Sequence, residues 1–145
     1  MPRPLTERIA DTLAALERGG DAWVATSGDG PTLVPLALAW DGAHAILSTT
    51  AQSITARNVQ HDPRVRIGFG ATRDVVMIDG TADVIRIEDA GSFADSFAAH
   101  ADWDPRAEDG DWVYLVVTLR RVQAWRESDE ISGRTVMRDG RWLEA

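Results

Sequence analysis

Hydrophobic residues along this chain first recur at helical spacing and then alternate with polar residues at the spacing of extended strands. Ile9, Leu13 and Leu16 lie on one face of a predicted helix that ends at Gly19-Gly20. Beyond it, the alternation predicts strands over residues 22–27, 32–40, 43–49, 65–70, 75–78, 81–87 and 112–125. Two more helices are predicted, over residues 53–60 and 88–101.

Tight turns separate these strands. Gly28-Asp29-Gly30 follows the first strand, and the Asp41-Gly42 and Asp79-Gly80 pairs favour two-residue hairpins. An acidic loop follows over residues 102–111, and Asp139-Gly140 predicts a small terminal hairpin. Many short antiparallel strands with few helices favour a mainly β fold, a β-barrel with peripheral helices. A two-sheet sandwich is the alternative arrangement.

Length and composition narrow the possible functions. The 145 residues predict a single domain over residues 1–145. No apolar run is long enough to cross a bilayer and no signal-peptide pattern is present, so we expect no membrane partner and a cytoplasmic location. The net charge of −8 disfavours a nucleic-acid surface. The chain has no cysteine or lysine, which excludes disulfides, thiol nucleophiles and Schiff-base chemistry.

The segment from Ser48 to Asn58 carries the strongest functional signal. A strand runs into hydroxyl residues, which then open a short helix that carries Arg57. Unpaired N–H groups at a helix N-terminus bind phosphate readily, so this spacing predicts an anion pocket at the mouth of the sheet. The alternative is an ordinary serine N-cap on a connecting helix.

Aromatic and imidazole side chains give weaker signals. Trp40, Trp112 and Trp125 fall at strand ends, where a large ring packs on the core or faces an interface or a flat ligand. Packing is the simpler interpretation of each. The three histidines are His44, His61 and His100. No metal-ligand spacing joins them, so we predict no metal site, although one of them could ligate a haem axially.

An ordered series of motifs becomes recognisable between Thr32 and Gly80. The series is Leu33-Val34-Pro35-Leu36, Trp40-Asp41-Gly42, Leu47-Ser48-Thr49-Thr50, Thr55-Ala56-Arg57-Asn58, Asp62-Pro63-Arg64-Val65 and Val75-Val76-Met77-Ile78-Asp79-Gly80. In this order it resembles the pyridoxamine-5′-phosphate-oxidase-like split β-barrels. That group includes FMN enzymes and deazaflavin-dependent oxidoreductases.

The resemblance implies a homodimer of six-stranded antiparallel barrels, with the cofactor in a cleft at the dimer interface. The implied ring contacts are Val34, Pro35 and Leu36, with Val75 and Val76 approaching from the neighbouring sheet. Ser48, Thr49 and Thr50 would contact the ring and ribityl groups, and Ser53, Thr55 and Arg57 the phosphate. A small reducible substrate would lie over the ring, beside Trp112, Trp125 or Arg126.

The chain departs from the family pattern at the phosphate. Members that bind phosphate usually carry arginine or lysine at the positions held here by Ser53, Ile54 and Thr55. Arg57 lies two residues further along, on a different helix face from Thr55. We therefore expect a weaker phosphate site than in those members.

The resulting hypothesis is an oxidoreductase that depends on a flavin (FMN) or on the 8-hydroxy-5-deazaflavin coenzyme and transfers hydride to or from a small organic substrate. The deazaflavin carries an acidic oligoglutamate tail, for which the candidate partners are Arg57, Arg64, Arg66 and Arg73. Two alternatives stay open. One is a non-catalytic barrel that binds haem or another flat ligand, and the other is a dimer that has lost its cofactor site.

Overall fold

The structure, a computed structural model, describes residues 1–144. Its elements in chain order are α1 (Leu5–Arg18), β1 (Gly20–Thr26), β2 (Thr32–Trp40), β3 (His44–Thr50), α2 (Ile54–His61), β4 (Arg64–Ala71), β5 (Asp74–Arg86), α3 (Ser92–His100), β6 (Trp112–Trp125), β7 (Thr135–Arg138) and β8 (Arg141–Trp142). No helix within that range is long and apolar enough to span a bilayer.

Six of the strands close into an antiparallel barrel. Neighbouring strands follow the order β3-β2-β1-β4-β5-β6, and β3 pairs back with β6 to complete the ring. Closure leaves no long unpaired edge among these strands. β7 and β8 extend the sheet beyond β6 as a short hairpin. The predicted six-stranded barrel is confirmed, and the sandwich is excluded.

The barrel interior is filled by alternate residues of each strand. Val24, Leu47, Ile67 and Ile78 are all fully buried there. The apolar face of α1 packs against the same cluster and contributes Leu16, which is also fully buried. Strands of period two can fill a closed interior in this way because successive side chains point to opposite faces.

A second apolar cluster lies outside the barrel, beneath α3. Phe97 of this helix is fully buried, and its ring centroid lies 5.7 Å from that of Tyr114. Ala39 and Ile46 belong to the same cluster. The helix begins only at Ser92, later than predicted, because Gly91 takes a left-handed φ of 55° and separates it from a 3-10 turn over Ile87–Asp89.

The predicted hairpin at Asp79-Gly80 is wrong. β5 runs without reversal from Asp74 to Arg86 and pairs with β4 on one side and β6 on the other. The pair instead forms a β-bulge, because Asp79 lies opposite Arg121 and Gly80 opposite Leu119. A Cβ on Gly80 would lie 2.5 Å from the Thr118 carbonyl oxygen, so the glycine permits a close strand approach and not a turn.

Candidate functional site

An exposed apolar surface crosses four strands on the outside of the barrel. In the strand register, Pro35 lies opposite Trp23, Trp23 opposite Gly68, and Gly68 opposite Met77. Leu33 lies on the same face of β2 as Pro35. Trp23 is 55% exposed and Leu33 is 62% exposed. Contiguous apolar residues left in water mark ligand or partner surfaces, and we call these five residues the platform.

Gly68 makes the platform flat. A Cβ at this position would lie 2.9 Å from Met77 Sδ, so the methionine side chain lies directly across the glycine. The thioether therefore lies over the outer face of Gly68, and Trp23 is the strand neighbour of Gly68 on the other side. Indole rings and thioethers both make favourable contacts with aromatic planes. The platform can therefore support one face of a planar ring.

β2 does not present its three predicted ring residues on one face. Val34 and Leu36 pack against the barrel core, whereas Pro35 is exposed on the platform. Successive side chains of a strand point to opposite faces, so this division follows from the extended backbone. A ring outside the barrel would meet the Pro35 side chain and the backbone of its two neighbours.

The end of β3 carries the predicted contacts to the ring and ribityl groups. Ser48 is buried, and its Oγ donates a hydrogen bond to the Val113 carbonyl oxygen at 2.8 Å. Thr49 and Thr50 are half-buried, and Thr50 lies opposite Trp112 on β6. The serine hydroxyl thus ties β3 to β6, while the two threonines remain partly accessible.

α2 begins directly after this strand. Its N-cap is Ser53, whose Oγ accepts a hydrogen bond from the Ala56 amide at 3.0 Å. Thr55 is buried at 3% exposure. The serine therefore makes an ordinary cap, and the two amides before Ala56 are the ones that an outside acceptor could still bind.

Arg57 is the exposed charge of α2. It lines a cavity of 280 Å³ with Thr32 and Ile54, between the helix and the β1–β2 turn. Within residues 1–144 its side chain makes no hydrogen bond or ion pair. Asp29 also lines this cavity, and its carboxylate lies 2.8 Å from His61 Nδ1. Because Thr32 begins β2, the cavity adjoins the end of the strand that carries the platform.

Asn58 fixes α2 against the β1–β2 turn. This side chain is 1% exposed; its Nδ2 donates to Thr26 Oγ1 at 3.1 Å and to the Gly30 carbonyl at 3.0 Å. Its Oδ1 accepts from the Asp29 amide at 3.0 Å. From the sequence, Asn58 was part of a family motif but had no predicted role. Its spacing of three from the buried Thr55 on one helix face was the available signal.

Val75 and Trp125 continue the outer face beyond Met77. Val75 lies opposite Trp125, two residues along β5 from Met77, while Val76 points into the core at 8% exposure. The Arg134 guanidinium carbon lies 5.6 Å from the centre of the Trp125 ring. This cation–π contact orients the indole at the end of the platform.

Arg126 belongs to a charge network at the same end of the barrel. Its Nε lies 3.3 Å from Asp74 Oδ2, and its amide donates to Glu130 at 2.8 Å. Glu130 is 3% exposed and accepts from Arg3 Nη2 at 2.7 Å. The hydrogen bond from Arg3 outweighs burial and lowers the pKa of Glu130 to about 2. The network ties the N-terminal segment to the loop after Trp125.

Trp112 lies at the other end of β6. At a rise of about 3.3 Å per residue, the strand separates it from Trp125 by roughly 40 Å. Its ring centroid is 5.1 Å from that of Trp103, and its Nε1 donates to the Asp109 carbonyl at 2.9 Å. Within one chain, the structure therefore does not bring Trp112 together with Trp125 and Arg126.

The arginines predicted for an acidic tail do not form one group. Arg57 lies on α2, and Arg73 Nη1 contacts Glu127 Oε2 at 3.0 Å on the exposed surface. Arg64 and Arg66 line a separate cleft on the outer wall of the barrel. Only this last pair shares a site.

The three histidines lie apart, each with a local partner. The partners are Asp41 for His44, Asp29 for His61 and the Ser96 carbonyl for His100. In the described part of the chain, no three acidic or imidazole side chains converge as metal ligands would.

Trp23 was not predicted as a site residue. The candidate tryptophans were Trp112, Trp125 and Trp40, of which Trp40 is a core residue at 4% exposure. The β1 side chains that point into the barrel are those of Ala22, Val24 and Thr26. The tryptophan between the first two therefore points outward. A large aromatic ring at an outward-facing position of a strand was the signal that could have identified it.

Known proteins support this description of the fold. The sequence profile of the family described as pyridoxamine 5′-phosphate oxidase matches residues 9–126. No curated protein is similar enough to match. At the structural level, an F420 reductase is 22% identical; the similarity covers 75% of this chain and 93% of that chain, with a TM-score of 0.62.

Two further solved structures have the same fold. A haem-binding protein from Mycobacterium smegmatis is 24% identical over 95% of this chain and 59% of its own, with a TM-score of 0.67. General Stress Protein 26 from Bacillus anthracis str. Sterne is 16% identical over 83% of this chain and 93% of its own, with a TM-score of 0.63. At such identities the likeness concerns the fold alone.

Proposed function

The chain belongs to the pyridoxamine 5′-phosphate oxidase family, and from that premise we propose that it is an oxidoreductase that binds FMN or the 8-hydroxy-5-deazaflavin coenzyme on the platform. The observation that carries the proposal is a flat apolar surface beside a guanidinium that has no partner among the described residues. A planar ring with an anionic tail requires this combination.

The side chains on the outer face fit the ring. Trp23, Pro35 and Met77 would contact one face of it, and Val75 would extend the contact toward Trp125. These groups are apolar and exposed, so covering them with a planar ring removes apolar area from water at about 25 cal/mol per Å². The half-buried Thr49 and Thr50 are the hydroxyls available for the ribityl chain.

Arg57 is the proposed phosphate partner. The Ser53 hydroxyl already caps α2, and Thr55 is buried, so the remaining donors are this guanidinium and the first amides of the helix. A hydrogen bond between charged groups contributes about 1.5–3 kcal/mol. Loss of the arginine should therefore weaken binding by roughly 10- to 100-fold.

The bound cofactor would supply hydride transfer to or from a small organic substrate. The chain's own residues would bind the ring, orient it and exclude water from the face that it presents to the platform. Trp125 and Arg126 are the proposed substrate contacts, because they lie where the platform ends. The substrate class is a small reducible organic molecule.

The same proposal includes a homodimer with a shared cleft. One chain holds Trp112 and Trp125 at opposite ends of β6, so a second copy is needed if both are to contact one bound substrate. The exposed platform also favours burial against a partner. The cytoplasmic location and the lack of a nucleic-acid partner stay predictions from composition.

Titration of the purified protein with FMN and, separately, with the deazaflavin tests the proposal through quenching of tryptophan fluorescence. We expect at least one of them to bind in the micromolar range and Arg57→Ala to weaken it by about tenfold or more. Arg141→Ala, an exposed arginine on β8, is the matched control and should bind as the wild type does. Failure of both cofactors to bind at about 100 µM would remove the oxidoreductase proposal.

Haem binding is the second candidate, and the likeness to the Mycobacterium smegmatis haem-binding protein favours it. A porphyrin plane also suits the platform, and His44 and His61 contact their partners through Nδ1, so Nε2 of either could ligate iron without loss of that contact. A parallel titration with haemin distinguishes haem binding from flavin binding. A Soret band that disappears on replacement of His44, His61 or His100 would favour haem over a flavin.

A further inference from the structure

Four arginines meet in a cleft of 720 Å³ on the outer wall of the barrel. From their arrangement we infer that the cleft binds a small molecule with two or more phosphate or carboxylate groups. Arg64 and Arg66 come from β4, and Arg120 and Arg121 from β6. The chain as a whole carries a net charge of −8, so a local cluster of four positive side chains is opposite in sign to the protein's net charge. We call these four residues and the space between them the arginine cleft.

The β-bulge in β5 and β6 assembles one side of the arginine cleft. Consecutive residues of a regular strand point to opposite faces, but Arg120 is the extra residue at the bulge and lines the cleft together with Arg121. The bulge depends on Gly80, where a Cβ would lie 2.5 Å from the Thr118 carbonyl oxygen. Bulges commonly redirect side chains beside functional sites.

Asp79 orients two of the guanidinium groups. Its Oδ1 accepts a hydrogen bond from Arg66 Nε at 2.5 Å, and its Oδ2 accepts from Arg121 Nη2 at 2.6 Å and Nε at 2.9 Å. Within the described residues, both terminal nitrogens of Arg66 and one of Arg121 keep their hydrogen atoms for another acceptor. Guanidinium groups held in this way present a fixed fork to phosphate or carboxylate oxygens.

The arginine cleft keeps an excess of positive charge after its internal pairs are counted. Arg64 Nη2 lies 2.6 Å from Asp62 Oδ2, and Asp79 faces Arg66 and Arg121. Four positive charges thus meet two negative ones, and the Arg120 side chain has no polar partner within residues 1–144. Hydroxyl residues also line the cleft, namely Thr26, Ser27 and Thr81.

The positions of the guanidinium groups on two different strands indicate which kind of ligand fits the cleft. Guanidinium groups on β4 and β6, with Asp79 of β5 between them, can bind separate anionic groups, whereas a single small anion would reach only part of the set. The volume lies within the range of small-molecule sites. The inference does not depend on a flavin, because none of the platform residues lines the arginine cleft, although Arg66 also lines a smaller neighbouring cavity with Met77 and Trp125.

Isothermal titration at low ionic strength tests the inference, with tripolyphosphate, citrate and inorganic phosphate as the probes and no flavin present. We expect tripolyphosphate or citrate to bind at least about tenfold more tightly than inorganic phosphate, because they engage several guanidinium groups at once. The stronger of the two probes identifies whether phosphate or carboxylate groups are preferred. Equal, weak binding of all three would overturn the inference.

Arg120→Gln is the decisive variant, because this exposed side chain has no partner in the described residues and its loss leaves the Asp79 pairs intact. We expect it to weaken the preferred probe by about tenfold, with an unchanged far-ultraviolet circular dichroism spectrum. Arg138→Gln, an exposed arginine on β7 outside the arginine cleft, should bind like the wild type. Equal affinities for the two variants would contradict the site. A failed flavin titration would leave this result unaffected.

Discussion

Two halves of the barrel's outer surface are carried by the same strands but are covered differently. On β2, Ala39 is fully buried beneath α3, whereas Pro35 lies in the open on the platform. On β6, Tyr114 is fully buried beside Phe97, whereas Trp125 remains partly exposed at the other end. The covered half and the platform are both apolar, and only the covered half lies beneath a helix. The uncovered half is therefore the one available to a ligand or a second copy.

Packing in the covered half is strong enough to hold an unpaired polar group. The Tyr114 hydroxyl is buried without a hydrogen-bond partner in the described residues, and burial raises the pKa of this phenol. Leaving such a group unpaired costs about 1–3 kcal/mol. Phe97 and Trp103, whose ring centroids lie 5.5 Å apart, supply apolar contacts that offset this cost. In the uncovered half, Trp23 is 55% exposed, so its removal costs fewer internal contacts.

The largest expected effect comes from Phe97→Ala in the covered half. Removing this fully buried ring leaves a cavity beneath α3 and should lower the free energy of unfolding by about 3–5 kcal/mol. Trp23→Ala in the uncovered half should lower it by less than about 1 kcal/mol for the isolated chain, because the indole is already 55% exposed. Urea unfolding followed by far-ultraviolet circular dichroism measures both.

Repeating the unfolding measurements at several protein concentrations tests the comparison between Phe97→Ala and Trp23→Ala further. The loss in Phe97→Ala should be the same at every concentration, because the ring packs within one chain. Any additional loss in Trp23→Ala should grow with concentration, because it would come from a weakened dimer. An equal and concentration-independent loss in both variants would mean that the two halves do not differ as described.

The same distinction explains what could be predicted from the sequence. The alternation of apolar and polar residues predicted the strands that hold Val24, Ile67 and Ile78. Side chains that point into the barrel have to be apolar whatever ligand the protein binds. Side chains that point out of the barrel are not restricted in this way, so neither Trp23 nor the arginine cleft was predicted. Their residues come from strands that are distant in sequence, and only the register brings them together. The bulge at Asp79-Gly80 was missed because an Asp-Gly pair signals a hairpin when its neighbours in the sheet are unknown.

An intermediate effect is expected at Glu130, which anchors the uncovered end. At neutral pH, Glu130→Gln should lower the free energy of unfolding by about 3 kcal/mol, because Arg3 loses a buried counter-charge. Glu127→Gln is the matched control in the same segment. Glu127 is 59% exposed and paired with Arg73, so its loss should change stability by less than about 0.5 kcal/mol.

The pH dependence of this pair has a definite sign. Arg3 lowers the pKa of Glu130 from 4.5 to about 2, so its contribution to stability is present above pH 4.5 and is lost as the pH falls toward 2. The difference in unfolding free energy between the wild type and Glu130→Gln should therefore shrink over that window. A difference that stays constant between pH 5 and about pH 2 would show that the ionised carboxylate is not what stabilises this end.

The smallest expected effect concerns association, through Trp23→Asp on the platform. A charge in place of an exposed indole leaves the fold of one chain almost unchanged but opposes burial of the platform against a second copy. We expect the dimer to dissociate about 10- to 100-fold more readily in sedimentation velocity, since tryptophan is often a dominant contact in interfaces. Gln60→Asp adds the same charge to the exposed surface of α2 and should leave association unchanged. If both variants associate like the wild type, the dimer does not use the platform, and the uncovered half is left to a ligand alone.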